Sequence, residues 1–183
     1  MKTIKFLSLL ATAAILFNSC SDDDDAPEEI HEEEVITTMT VILTPEQGGD
    51  AVTLQSRDLD GEGPDAPVLT VGNLAANTVY NGEIELLNET ETPVENITTE
   101  VEEEGDDHQF IFVTSGSIAS VDYSDQDEDG NPIGIEFSLT TGEAGSANLA
   151  ITLRHEPTKP NDGSLSDAGG ETDIAQSFEI TVE

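Results

Sequence analysis

Apolar and polar residues alternate along most of the chain after residue 34, in short runs rich in Val, Ile and Thr. A period of two is typical of half-buried antiparallel strands, because successive side chains of a strand point to opposite faces of its sheet. Gly, Pro, Asn and Asp, which turns favour, separate the runs. The predicted strands are Val35–Thr44, Ala51–Arg57, Pro67–Val71, Asn77–Asn88, His108–Thr114, Ser117–Ser124, Pro132–Thr141, Ser146–Glu156 and Asp173–Glu183.

This spacing of short strands predicts an all-β fold. Strand runs separated by turn signals, without strand–helix–strand alternation, favour an immunoglobulin-like antiparallel β-sandwich of about seven to nine strands. The sandwich is expected to occupy residues 34–183 as one domain, which is long enough to bury a proper core.

One segment departs from the period of two and could add a short helix. In Thr92–Asp107, Thr92 could cap a helix with Pro93 at its first position. Ile97 and Val101, four residues apart, would then face the core. A solvated acidic loop is the competing interpretation.

The N-terminal residues have the pattern of an export signal. Residues 1–19 carry Lys2 and Lys5 before a short apolar core, and the chain's only cysteine, Cys20, follows at once. The stretch LFNSC resembles the lipobox of Gram-negative lipoproteins, which predicts lipidation of Cys20 and attachment to a membrane. Residues 20–33 are predicted to be an acidic disordered tether. The serine after Cys20 resembles the pattern that sorts lipoproteins to the outer membrane. The anchored domain is then expected on the cell surface or on the periplasmic face of that membrane.

Charge narrows the choice of partners. The chain has 40 acidic residues against five Lys and Arg, for a formal net charge of −35. Such a surface repels nucleic acid and attracts cations, so no nucleic-acid partner is expected. Solubility alone also explains many of these carboxylates.

An acidic loop, DQDEDGNPIGIE, matches the spacing of an EF-hand calcium loop. Asp125, Asp127 and Asp129 take alternate places, Asn131 could offer its carbonyl, and Glu136 could close the site. Strand-like flanks stand where an EF-hand has helices, so the three aspartates are better calcium candidates than Glu136. The competing interpretation is the acidic tip of a β-hairpin.

The three histidines, His31, His108 and His155, form a second candidate site. Each is predicted at a strand edge beside carboxylates, and imidazole with carboxylate suits zinc, copper or nickel. They could form one open transition-metal site if the strand ends that carry them meet. Isolated surface histidines beside acids are the alternative, because no pair has a local ligand spacing.

Four stretches of the chain resemble a group of known proteins: HEEEVITTMTVILTPEQGGDAVTL, NLAANTVYNGEIELLNETETPVENITTEVEEE, HQFIF and ITLRHEP. They resemble small acidic exported bacterial lipoproteins labelled "type 1 periplasmic binding fold superfamily protein". That label implies two α/β lobes that close on a small solute, whereas the strand pattern predicts antiparallel β-structure.

These observations predict a lipid-anchored binding or accessory module of the outer membrane. Such a module would capture divalent cations, Ca²⁺ first and Zn²⁺ or another transition metal second, or a small solute for an outer-membrane receptor. The alternative is a structural or adhesive surface module without a small ligand. No nucleophile elbow, phosphate loop or complete catalytic metal motif occurs in the sequence, so an enzyme is not expected.

Overall fold

The computed structural model describes residues 34–61 and 63–183, which contain ten strands and two short helices. The strands are β1 (Thr38–Pro45), β2 (Val52–Arg57), β3 (Val68–Val71), β4 (Val79–Asn88), β5 (Glu95–Asn96), β6 (His108–Gly116), β7 (Ile118–Tyr123), β8 (Glu136–Thr141), β9 (Gly145–His155) and β10 (Glu171–Val182). The helices are α1 (Ile97–Glu103) and α2 (Leu165–Ala168).

The strands form two antiparallel sheets. The large sheet has seven strands in the order β3-β2-β1-β4-β8-β7, with β5 paired to β4. The small sheet has three strands in the order β10-β9-β6. The predicted all-β sandwich is confirmed, while its immunoglobulin-like identity stays a prediction. The two α/β lobes implied by the family label are absent from the described residues, because their strands pair antiparallel rather than around crossover helices.

One hydrophobic core joins the inward faces of both sheets. Met39, Val41 and Leu43 on β1 are fully buried in the same cluster as Phe110 on β6 and Phe178 on β10. Complete burial of such a side chain contributes about 1.5–3 kcal/mol, so this cluster is the main stabilising feature of the domain. The alternation seen in the sequence is therefore the division between core and solvent faces.

The predicted short helix exists, but it begins later than expected. Asn96, not Thr92, is its N-cap, and the Asn96 side chain accepts a hydrogen bond from the Thr98 amide at 3.0 Å. The chain is still extended at Asn96, which pairs with β4, so the helix cannot start at Pro93. Ile97 and Val101 are buried, as their spacing predicted.

Several sequence predictions fall outside the described residues. The signal peptide at residues 1–19, the lipidation site Cys20, the tether at residues 20–33 and the candidate ligand His31 all precede residue 34. In the part of the chain that is described, neither helix has the length and apolar character required to cross a membrane.

Candidate metal centre

Strand register brings two of the three histidines together. His108, the first residue of β6, lies directly opposite His155, the last residue of β9. Paired residues on neighbouring strands point to the same face, so both imidazoles enter the space between the sheets. Their ring centroids are 4.7 Å apart. The structure therefore brings together two of the three candidate histidines, as the transition-metal interpretation required, and it buries them instead of leaving them isolated at the surface.

A β-bulge adds a carboxylate from the third strand of the small sheet. The pairing of β10 with β9 shifts register between Thr172 and Ile174, which leaves Asp173 as the extra residue. Bulges re-aim side chains, and they are common beside functional sites. The Asp173 carboxylate lies 3.6 Å from His155 Nδ1 and 3.9 Å from His108 Nε2.

The fourth member, Glu34, comes from the segment that precedes β1. Its Oε1 lies 3.0 Å from His108 Nε2, and its Oε2 lies 3.6 Å from His155 Nδ1. Each of the four residues thus offers one nitrogen or oxygen, and these four ligand atoms all lie within 4.8 Å of one another. This group is called the metal centre below.

The spacing of the ligand atoms is somewhat wider than that around a tetrahedral ion. Metal–ligand bonds of about 2.0–2.2 Å in tetrahedral geometry place neighbouring ligand atoms about 3.3–3.6 Å apart. The four histidine–carboxylate contacts of the centre measure 3.0, 3.6, 3.6 and 3.9 Å, but they use both oxygens of each carboxylate. One ligand atom from each residue gives separations within 4.8 Å, so the side chains would close in by up to about 1 Å around a tetrahedral ion.

The centre is shielded from solvent, which makes its charge important. The side chains of His108, Asp173, Glu34 and His155 are 0%, 2%, 4% and 10% exposed. With neutral imidazoles, two carboxylates give the group a charge of about −2, and uncompensated buried charge is costly. One divalent cation, or two protons on the imidazoles, would neutralise it.

The centre contains buried atoms that lack a hydrogen-bond partner, among them His108 Nε2 and Glu34 Oε2. Although His108 Nε2 is close to Glu34 Oε1, the direction between them does not meet hydrogen-bond geometry. Buried polar atoms without a partner are rare in native proteins, and a bound ion is one way in which such atoms are satisfied.

The backbone holds the His108 ring in an orientation suited to metal binding. Nδ1 lies 3.1 Å from the carbonyl oxygen of Glu104, just after helix α1. A carbonyl can only accept, so Nδ1 carries the proton, and Nε2 is directed into the centre as the available ligand. This arrangement, in which the second ring nitrogen donates to a carbonyl, commonly supports a metal-bound histidine.

The pKa values of His108 and Glu34 depend on each other. Burial opposes the charged form of His108, but Glu34, the Glu104 carbonyl and Asp173 outweigh it and raise the pKa of His108. Burial also opposes ionisation of Glu34, yet interaction with His108 lowers the pKa of Glu34. In the metal-free protein the centre therefore favours a protonated His108 beside an ionised Glu34.

The predicted calcium loop has a different structure. Asp125 accepts hydrogen bonds from the amides of Gly134 and Glu136 at 2.7 and 2.9 Å. Asp127 accepts from the amides of Asp129 and Asn131 at 3.1 and 2.7 Å. Both carboxylates thus stabilise the turn by accepting hydrogen bonds from its backbone amides, and they do not enclose an empty space.

Lysine already supplies a cation to this loop. Lys159 Nζ lies 3.0 Å from Asp127 Oδ2, and both side chains are nearly completely buried. Within residues 34–61 and 63–183, Asp125, Asp127 and Asp129 do not form a convergent group of ligand atoms. In this structure backbone amides and an ammonium group use the carboxylates of Asp125 and Asp127, so the loop forms an acidic turn, and the calcium site stays a prediction.

Sequence reasoning missed two members of the metal centre, Glu34 and Asp173. Glu34 was assigned to the edge of the domain beside the tether, and Asp173 to the start of the last strand. The available signal was only that each of these carboxylates stands at or just before the start of a predicted strand. With 40 acidic residues in the chain, it did not distinguish these two.

No protein-family model, curated protein or solved structure matches this chain. Function is therefore inferred from the chemistry of the metal centre. Its donor set of two imidazole nitrogens and two carboxylate oxygens can hold a metal ion.

Proposed function

We propose that this chain is an exported, lipid-anchored domain that binds one divalent transition-metal ion, with zinc as the leading candidate. The observation that carries the proposal is the buried convergence of Glu34, His108, His155 and Asp173. Surface acids gather by chance in so acidic a chain. Two imidazoles and two carboxylates enclosed in a sandwich do not follow from net charge alone.

The donor set favours a transition metal over calcium. Calcium takes six to eight oxygen ligands, whereas this centre supplies two nitrogens among four ligand atoms. Zinc accepts imidazole nitrogen and carboxylate oxygen in tetrahedral sites. A site with four protein ligands and little solvent access suits retention of the ion better than catalysis, which needs an open position.

The surroundings support attraction of cations to the domain. An open cavity of about 810 Å³ beside helix α1 is lined by many acids, among them Glu102, Glu103, Glu104, Asp106 and Asp107. Such a concentration of one charge raises the local cation concentration. With Cys20 as a lipid anchor, the domain would hold its ion at the outer membrane, where an uptake receptor is a fitting partner.

Calorimetric titration with zinc tests the proposal. Residues 21–183 are suitable, since this part of the chain includes all the core residues that the structure describes. We expect one saturable site. Replacing His108 or Asp173 (H108Q, D173N) should weaken binding at least about 100-fold, because mutation of residues that merely support metal ligands already weakens metal affinity by about 10–100-fold.

Matched variants separate the centre from the acidic surface. D122N and E179Q remove exposed carboxylates from β7 and β10, and they should leave zinc affinity unchanged. Absence of a saturable site, or equal loss in D122N and D173N, would contradict the proposal. A structural or adhesive module without a small ligand would then be favoured.

A further inference from the structure

We propose that the metal centre is a latch, in which the bound ion fastens residues 34–36, the entry segment of the domain, to the small sheet. This inference rests on the proposed metal binding and concerns its consequence for the chain. Three ligands, His108, Asp173 and His155, belong to the small sheet. Glu34 belongs to no strand and leads into β1 of the large sheet.

The three sheet ligands are held independently of a metal. His108 and His155 are paired in the β6–β9 ladder, and Asp173 lies between paired residues of β10. Their positions are fixed by backbone hydrogen bonds on both sides. Glu34 is thus the member of the centre whose position depends most on its own side chain.

Backbone bonding to the large sheet begins just after the entry segment. In the described part of the chain, the first such hydrogen bond is from the Thr37 amide to the Leu87 carbonyl, at 3.0 Å. The Thr37 hydroxyl adds a bond to the same carbonyl at 3.0 Å. Before Thr37, Val35 is 57% exposed, and Ile36 is only partly buried against the core.

A cation strengthens the hold on Glu34 in the centre. The Glu34 ligand oxygen lies within 4.8 Å of that of Asp173, and both side chains are almost fully buried. Without a metal, the imidazoles beside them offset the repulsion between two carboxylates so close in a poorly solvated site. A divalent ion bonded to both carboxylates replaces that repulsion by two metal–oxygen bonds, so metal binding fastens the entry segment to the small sheet.

Release of the segment would change how far the domain lies from its anchor. Three residues in extended conformation span about 10 Å, so opening the latch would lengthen the connection by roughly that distance. The bound ion would thereby set the length of the connection between the domain and its anchor. A module that presents metal to a membrane receptor could use this difference between loaded and empty states.

Hydrogen exchange on residues 21–183, with and without zinc, tests the latch. We expect zinc to slow exchange of the amides of residues 35–37 at least about tenfold. The turn at residues 142–145, which holds no ligand, serves as the reference and should change little. In E34Q, zinc should bind more weakly, through His108, His155 and Asp173, and at saturating zinc it should no longer slow exchange at residues 35–37. E179Q should behave like the unaltered protein.

The outcomes distinguish this inference from the proposed function. Zinc binding measured by calorimetry without slower exchange at residues 35–37, or with equal slowing at residues 142–145, would overturn the latch and leave metal binding intact. Full slowing in E34Q would also overturn it. Absence of saturable zinc binding in the unaltered protein would overturn both.

Discussion

Zinc binding to the buried centre should release protons, and this release distinguishes the centre from the acidic surface. His108 is the residue expected to release a proton, because its Nδ1–H already donates to the Glu104 carbonyl. Any further proton must sit on Nε2, where a metal would bind. The carboxylates and the Glu104 carbonyl raise the pKa of His108 despite its burial, so more of that proton is present near neutral pH.

The expected magnitude follows from the ligand set. Two imidazoles set an upper limit of two protons per zinc ion, while Glu34, whose pKa is lowered, carries none near neutrality. Each proton that must be displaced weakens apparent affinity about tenfold for every unit of pH below the histidine pKa, or about 1.4 kcal/mol. Zinc held by exposed carboxylates would release almost no protons, because these groups are already ionised.

Calorimetry in two buffers with different ionisation enthalpies measures this release. At pH 6.5 the heat of binding should differ between the buffers in proportion to the protons released. H108Q should lose most of that difference, and E179Q should keep it. Equal heats in the two buffers for the unaltered protein, or an unchanged difference in H108Q, would refute the assignment of His108 as a ligand.

Two further predictions concern the sandwich itself. A Cβ on Gly82 would lie 2.4 Å from the Phe137 ring, so G82A should lower the free energy of unfolding by about 1–3 kcal/mol in a denaturant titration, as overpacking does. G142A, whose nearest contact is at 3.7 Å, is the matched control, and equal effects would contradict this packing. Arg57, with help from a hydroxyl, lowers the pKa of Glu89 to about 2, so this ionised pair stabilises the fold above the ordinary glutamate pKa of about 4.3. That contribution is lost as pH falls from about 4.3 towards 2, so the melting temperature should fall over this pH interval. R57Q, which lacks the ion pair, should show a smaller fall than the unaltered protein. An equal fall in both proteins would contradict a stabilising role for the pair.

The fold was largely predictable because alternation of apolar and polar residues directly records two-sided strands. Errors occurred where side chains compete with the strand ladder. Strand β8 begins at Glu136 rather than Pro132, since the Gly134 and Glu136 amides donate to Asp125. Helix α1 begins after Asn96 because the chain is still paired with β4 there.

The metal centre was only half predictable. His108 and His155 could be selected because histidine is rare in this chain and both lie at strand ends. Their pairing depends on register, and the position of Asp173 depends on a bulge that alternation does not reveal. The stretch that begins at Asp125 shows the reverse case. Its spacing matches a calcium loop completely, yet Asp125 and Asp127 accept hydrogen bonds from backbone amides.

The most direct test of the account is the position of zinc in crystals of residues 21–183, located by anomalous diffraction at the zinc edge. We predict one strong peak about 2.0–2.2 Å from His108 Nε2, His155 Nδ1 and one oxygen each of Glu34 and Asp173. Anomalous signal confined to the Asp125–Asp129 turn or to exposed carboxylates, with none between the two histidines, would contradict it.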